Sequence, residues 1–363
     1  MKTRFAGVCQ ILALTLLAAF CLSTFALAAD DTMPAHPRFT IIPPKPAIPG
    51  QNLTGNLAEW NGSFTYNNQQ YNYVMVGNDP SQNDTALVTT WVIPVKLVLS
   101  DGSVWDPLAG GPMSPVARTV LSPIFDMTTN YTQGGVNVGT TQYIDAFQRA
   151  NFWSIVQNNQ NSHLLLGGPT FRVAILPELT LNVPSGSGHQ GIEFGVHVAL
   201  VDINYYDTQI SNYMAQNQTI NPTGFPIFIN ANTYLTEGGC CIGGYHSANG
   251  PQTYANFEYI TTPGVFSQDV SALSHEVGEW ADDPLYPNQN NTPCGILEVG
   301  DPLENGQPGH PYGTWPYQLH NFTYHMQDLV TLKYFGGDPN GPVNGYWTFQ
   351  GYTGITQICQ NGS

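Results

Sequence analysis

Between Arg172 and Lys333 the chain has no Lys or Arg, yet that stretch holds fifteen Asp and Glu residues. Carboxylates at this density repel one another and raise each other's pKa unless positive charge stands among them. Local sequence offers no basic side chain, so the acids are either solvated or gathered around a metal ion. The whole chain of 363 residues is poor in charge, with 9% charged against 42% hydrophobic residues and a formal net charge of −16. Solubility must then come from Asn, Gln, Ser, Thr, Tyr and Gly. The acidic balance argues against nucleic acid and anionic membrane surfaces as partners. It suits an acidic medium.

Within the acidic stretch, Ser271 to Pro284 reads SALSHEVGEWADDP. Ala272, Leu273, Val277 and Trp280 recur at helical spacing, and Pro284 stops the helix. His275 and Glu279 are four apart and share one face, with Glu276 one step round. This is the layout of an H-E-x-x-H metal-binding helix with Glu in place of the second His. Asp282 and Asp283 stand at the negative end of the helix dipole, a cost that a nearby cation would offset. A hydrolytic zinc site takes three protein ligands and leaves a fourth position for water. His275 and Glu279 supply two, and Glu298, nineteen residues past Glu279, is the candidate third. Glu276 is the candidate general base. Asp301 is expected to orient His275 from its far nitrogen, and Asp283, just over two turns after His275, is a further candidate ligand.

Met1 to Ala29 has the make-up of a secretory signal: Lys2 and Arg4, an apolar run from Ile11 to Leu27, and Ala26-Leu27-Ala28 as the cleavage site. No other run is long enough to span a bilayer. The expected location is therefore secreted, extracellular or periplasmic, with no membrane association after signal removal. Residues 30–50 carry six prolines and read as an extended linker or arm. Residues 51–363 are expected to form one unit, β-rich to about residue 265, with the metal-site helix and a smaller C-terminal lobe over 266–363. Cys240, Cys241, Cys294 and Cys359 imply disulfides in an exported chain, with three possible connectivities. An adjacent Cys240–Cys241 bridge is geometrically the least favourable.

Strands are expected in GSFTYNN and YNYVMVG, on both sides of the Asp101-Gly102 turn, over Phe171–Val183, Gly195–Ile203 and Phe225–Leu235, and in a hairpin of Tyr245–Ala248 with Tyr254–Ile260. Helices are expected over Pro115–Phe125, Thr141–Gln157, Thr208–Gln216 and Phe322–Lys333, and a closing strand over Trp347–Ile355. This pattern suits an α/β (mixed α+β) fold built on a mixed sheet with an active-site helix.

His275-Glu276, Glu279, Glu298 and Asp301 together resemble the thermolysin-like gluzincin peptidases. The resemblance implies a zincin-like fold, His275, Glu279 and Glu298 as metal ligands, Glu276 as base and Asp301 as orienter. Ser274-His275-Glu276, Glu279, Asp283-Pro284 and Glu298-Val299-Gly300-Asp301 are similar in wording to the secreted phosphate-induced, or Exordium-type, proteins and their bacterial relatives. The second His is replaced here by Glu, which makes the site more anionic and its bound water less acidic. The implied cofactor is Zn²⁺, with Ca²⁺ or Mn²⁺ admitted by an oxygen-rich ligand set.

The leading expectation is a secreted endopeptidase that hydrolyses protein or peptide substrates with metal-activated water. His325, placed on a helix after the metal segment, is the candidate group to steady the oxyanion. His246, after the Gly-Cys loop, has two readings, one facing the cleft and the favoured one an ordinary surface or hydrogen-bonded His. The alternative expectation is a non-catalytic cell-wall or matrix protein with a structural metal. Glycoside hydrolysis by paired carboxylates leaves His275 unexplained.

Overall fold

The computed structural model describes residues 38–133, 135–158, 164–167, 173–285, 292–338, 346–352 and 354–359. The leader expected over 1–29 lies outside them. A hairpin of β1 (Glu59–Tyr66) and β2 (Gln69–Val76) comes first, then the long strand β3 (Ala86–Leu99) and short β4 (Val104–Trp105). Then follow α1 (Pro115–Val120), the hairpin β5 (Asn130–Gln133) and β6 (Val136–Thr140), α2 (Tyr143–Asn151), α3 (Trp153–Val156), β7 (Leu164–Leu166), β8 (Ala174–Ile175) and β9 (Leu179–Val183). The second half has β10 (Gly188–Glu193), β11 (Val196–Asp202), α4 (Ile203–Gln216), β12 (Gly224–Ala231), β13 (Thr233–Thr236), β14 (Gly244–Asn249), β15 (Gln252–Tyr259), α5 (Ser271–Asp282), the hairpin β16 (Thr314–Leu319) and β17 (Phe322–Gln327), and α6 (Leu332–Phe335). The fold is mixed α+β.

The main sheet is organised around β3, whose run ALVTTWVIPVKLVL is β-branched and almost continuously buried, as a strand covered on both faces must be. β12 pairs parallel with β3, β15 parallel with β12, and β14 closes that side antiparallel to β15. Pleating sends alternate side chains to opposite faces. Val92, Phe225, Ile227, Ile229 and Phe257 pack with Leu273, Val277 and Trp280 of α5. Trp91, Ile93, Val95, Phe228 and Tyr254 pack with Tyr206, Ile210 and Met214 of α4. Trp280 stacks on Phe225 with ring centroids 3.8 Å apart and donates its indole N–H to Thr253 Oγ1 at 3.0 Å. Its role is core packing.

Residues 38–49 lie as an extended strap along the outer edge of β14. Bridges Arg38↔Ile242 and Lys45↔Asn249 run parallel in one register. Prolines 43, 44, 46 and 49 offer no N–H, so such a segment can pair only at a sheet edge. The strap brings the acidic stretch two cations. Arg38 Nη2 lies 3.1 Å from Glu237 Oε2. The Lys45 ammonium pairs with buried Asp207, which also accepts hydrogen bonds from Tyr245 and Tyr254.

Several expected elements take another form. Phe322–Lys333 is not a helix: Phe322–Gln327 pairs as a strand with Thr314–Leu319, and only Leu332–Phe335 is helical. Cross-strand pairing of aromatic and β-branched side chains outweighs the local helical spacing. Among its described residues, Trp347–Ile355 contributes one bridge, Val330↔Thr348, and no strand. Phe225–Leu235 divides into β12 and β13 at Asn232, whose φ of 46° turns the chain. Cys294 is bridged to Cys359, and Cys240 to Cys241. The adjacent pairing was the one geometry disfavoured; the Cys240–Cys241 peptide is cis, with Cα atoms 3.1 Å apart.

Candidate metal centre

α5 is buried along its whole length because it lies between β15 and β14 on one side and β2, α2 and β17 on the others. Its polar side chains therefore face protein, not water. His275 Nε2 lies 3.0 Å from Glu279 Oε1, one turn on. Glu276 turns toward β14, where its Oε2 is 3.3 Å from His246 Nδ1. The same nitrogen is 3.9 Å from Glu279 Oε2. Ligand atoms of His275, Glu276 and Glu279 lie within 4.8 Å of one another, as do those of His246, Glu279 and Glu298. Glu279 belongs to both groups and links His275 to Glu298. A third such group, Glu193 with Cys240 and Cys241, has its sulfurs in a disulfide and offers no thiolate.

The hydrogen bonds fix how each imidazole presents itself. His246 Nε2 is 3.3 Å from the carbonyl oxygen of Asp283. A carbonyl only accepts, so Nε2 carries the proton and the lone pair on Nδ1 faces the acids. His275 Nδ1 is 3.0 Å from Gln327 Oε1. Gln327 Nε2 donates to the Gly300 carbonyl at 3.0 Å, which sets the amide's orientation, so His275 Nδ1 is the donor and the Nε2 lone pair faces Glu279. Two imidazoles thus aim acceptors at carboxylates that are acceptors themselves. Among the described residues, His275 Nε2 and Glu276 Oε1 have no hydrogen-bond partner although buried, and the Glu298 oxygens meet only another acid, Glu279. Buried acceptors facing acceptors are costly, and a cation in either group would relieve that cost.

The place behind His275 expected for Asp301 belongs to Gln327. Asp301 Oδ1 instead lies 3.6 Å from His275 Nε2, on the side where a ligand would stand. Two glycines give the room. A Cβ at Gly300 would lie 2.3 Å from His275 Nδ1, and one at Gly244 2.9 Å from Glu276 Oε1. The Gly300 N–H also donates to Glu279 Oε1 at 3.1 Å. Phe39 of the strap stacks on His275 with ring centroids 3.7 Å apart.

Burial pushes the Glu276, Glu279 and Glu298 carboxyls well above their ordinary values; repulsion from Glu279 adds to it at Glu276 and Glu298, and repulsion from Asp301 at Glu279, where hydrogen bonds from Glu298 and the Gly300 N–H oppose it. Desolvation also raises Asp301, which His275 opposes. It lowers His275 and brings His246 to about 4. Without a cation the protein environment thus favours neutral acids and neutral imidazoles. Asp282 sits apart, accepting hydrogen bonds from Gln148 and Asn151 of α2. Asp283 is buried beside the cluster and raises Glu298 electrostatically.

His325 stands on β17, not on a helix, and its Nδ1 is 2.7 Å from Asp269 Oδ2. It belongs to neither imidazole-containing group among the described residues. His246 was the residue sequence reasoning undervalued. Strand alternation was its signal, since it lies opposite in parity to Tyr245, which packs on the α4 face. Comparison with protein-family models, curated proteins and solved structures gave no match to this chain. No helix among the described residues is long and apolar enough to cross a membrane.

Proposed function

We propose that this chain is a secreted, metal-dependent endopeptidase of zincin-like architecture. The observation that carries the reading is two buried groups of ligand atoms, His275 with Glu276 and Glu279, and His246 with Glu279 and Glu298, that share Glu279. The ligands to the ion would be drawn from these two groups, His275 and Glu279 with His246 and Glu298 on the far side of Glu279, and Asp301 alongside. Two imidazoles favour Zn²⁺ or Mn²⁺; Ca²⁺ prefers oxygen ligands throughout. When bound, such an ion acidifies water and polarises a carbonyl. Glu276, whose Oε1 is unpartnered among the described residues, would take the proton from the attacking water. Gln327 holds His275 in the tautomer that leaves Nε2 free, and the Asp283 carbonyl does the same for His246.

The test is hydrolysis of a denatured protein by the metal-loaded enzyme, with chelator, and by Glu276→Gln. Chelation is expected to abolish cleavage. The substitution is expected to lower it roughly 10²–10⁴-fold while elemental analysis still finds the metal. Equal hydrolysis in all three samples rejects the proposal.

A second reading, an exported wall or matrix protein with a purely structural metal, is favoured by one observation. His275 is fully buried beneath Phe39. It predicts that chelation lowers the melting temperature while no protein substrate is ever cut.

A further inference from the structure

β14 is the edge of the main sheet, and its open side is taken by the chain's own strap. Arg38 N–H donates to the Cys241 carbonyl at 3.0 Å, and Gly243 N–H to the Arg38 carbonyl at 3.0 Å. At the far end, Lys45 N–H donates to Ala248 at 2.8 Å and Gly250 N–H to Lys45 at 2.7 Å. The middle is loose: Thr40 N–H reaches Gly244 at 3.4 Å, and the Ser247 hydroxyl serves the Ile42 carbonyl at 2.8 Å. Apart from Phe39 the strap is half-buried or exposed.

Two side chains enter built recesses. Phe39 lies between His275 and Phe266, with ring centroids 3.7 and 5.1 Å away. Its N–H donates to Glu304 Oε2 at 3.3 Å, and Gly243 keeps the floor open, because a Cβ there would meet both Phe266 and Phe39. Six residues on, the Lys45 ammonium enters a pocket whose floor is the buried Asp207 carboxylate, held by the Tyr245 and Tyr254 hydroxyls. A ladder of main-chain bonds with side-chain pockets is how a sheet edge recognises an extended peptide. The aromatic pocket adjoins the candidate metal centre, so whatever fills it controls access to His275.

We propose that the β14 edge is a peptide-binding groove selective for an extended segment with an aromatic residue and a basic residue six positions later, and that residues 38–49 are its resident, displaceable occupant. The guest from outside is a substrate polypeptide of that pattern. Only the word substrate rests on the hydrolase reading; the binding does not.

The test uses the full chain with a specific protease site placed at exposed residues 53–55, kept in chelator throughout so that hydrolysis plays no part. A labelled synthetic peptide of residues 36–50 is titrated, by fluorescence anisotropy, onto uncut and cut protein. The uncut chain is expected to bind it weakly or not at all. The cut chain should bind it saturably, and peptides carrying Phe39→Ala or Lys45→Ala should bind about tenfold or more weakly, as anchor residues do. Equal binding to cut and uncut protein, equal binding of the altered peptides, or no binding once the native segment has left would overturn the proposal. Hydrogen exchange on uncut Phe39→Ala and Lys45→Ala chains keeps the test decisive if cutting unfolds the protein. Faster exchange at the Gly243 and Gly250 amides supports a displaceable strap, and unchanged exchange there refutes it. A protein that binds the peptide yet cleaves nothing when metal-loaded keeps the groove and loses the hydrolase. One that cleaves but binds no such peptide does the reverse.

Discussion

An alanine methyl at position 300 would stand 2.3 Å from Nδ1 of His275. Gly300 has an ordinary φ of −90°, so space, not backbone freedom, requires glycine there. The imidazole cannot retreat, because Gln327 holds one side and Phe39 covers its face. Gly300→Ala is therefore expected to rotate or displace His275 while leaving every ligand present. Zinc affinity should fall by roughly 10–100-fold, the usual effect of disturbing what orients a ligand. Stability should fall by about 1–3 kcal/mol from overpacking. Calorimetric zinc titration and urea unfolding check the two effects separately. Wild-type affinity in this variant would mean that His275 is not a ligand.

At the scale of elements, α5 was legible because its information is local. His275, Glu276 and Glu279 declare themselves by spacing along one helix, and Pro284 marks the end. Glu298 was legible by its distance from the motif. His246 was not, since it reaches the site through the pairing of β14 with β15 and the packing of α5 across them, neither of which is written in neighbouring residues. Gln327 was hidden for the same reason: Phe322–Gln327 has helical spacing, and only its partner strand Thr314–Leu319 makes it β. The hairpin of β14 and β15 and the long strand β3 were readable because turn residues and β-branched runs are local signals. The strap was readable as extended from its prolines, but not its seat, which depends on an edge strand about 200 residues later. The α5–sheet contact is also where mechanical support for the site concentrates. Trp280→Ala removes the stack on Phe225 and leaves Thr253 without its indole donor. It should lower unfolding free energy by about 3–5 kcal/mol, read by chemical denaturation, and reduce metal affinity because the helix loses its fixed position. A loss below about 1 kcal/mol would show that α5 is held mainly from its other sides.

For the molecule as a whole, the deciding quantity is how many acids the fold buries against so few cations. Away from the candidate metal centre, desolvation lifts Glu258 to about 8 and Asp328 to about 7. Glu258 accepts hydrogen bonds from Asn230 and Asn256 through Oε1, and its Oε2 has no partner among the described residues. The ordinary values are 4.5 and 3.8, so both folded values lie above the unfolded ones. Between the two limits the folded chain binds more protons than the unfolded chain, and stability falls as pH rises. The contribution is complete below the unfolded values and lost as pH climbs through about 7 to 8. The net charge of −16 adds self-repulsion in the same direction. Metal-free protein in chelator should therefore be most stable near the acidic end of its folded range. Its unfolding free energy should drop by an amount on the order of a few kcal/mol toward pH 8. Glu258→Gln, which keeps the shape and the Oε1 acceptor but cannot ionise, should flatten that decline without moving the acidic end. Bound metal should act oppositely, since its ligands must be deprotonated: the rise in melting temperature on adding zinc should be larger at pH 8 than at pH 5. Parallel pH profiles for wild type and Glu258→Gln, measured by denaturant unfolding in chelator, would mean that Glu258 does not carry the proton its burial demands.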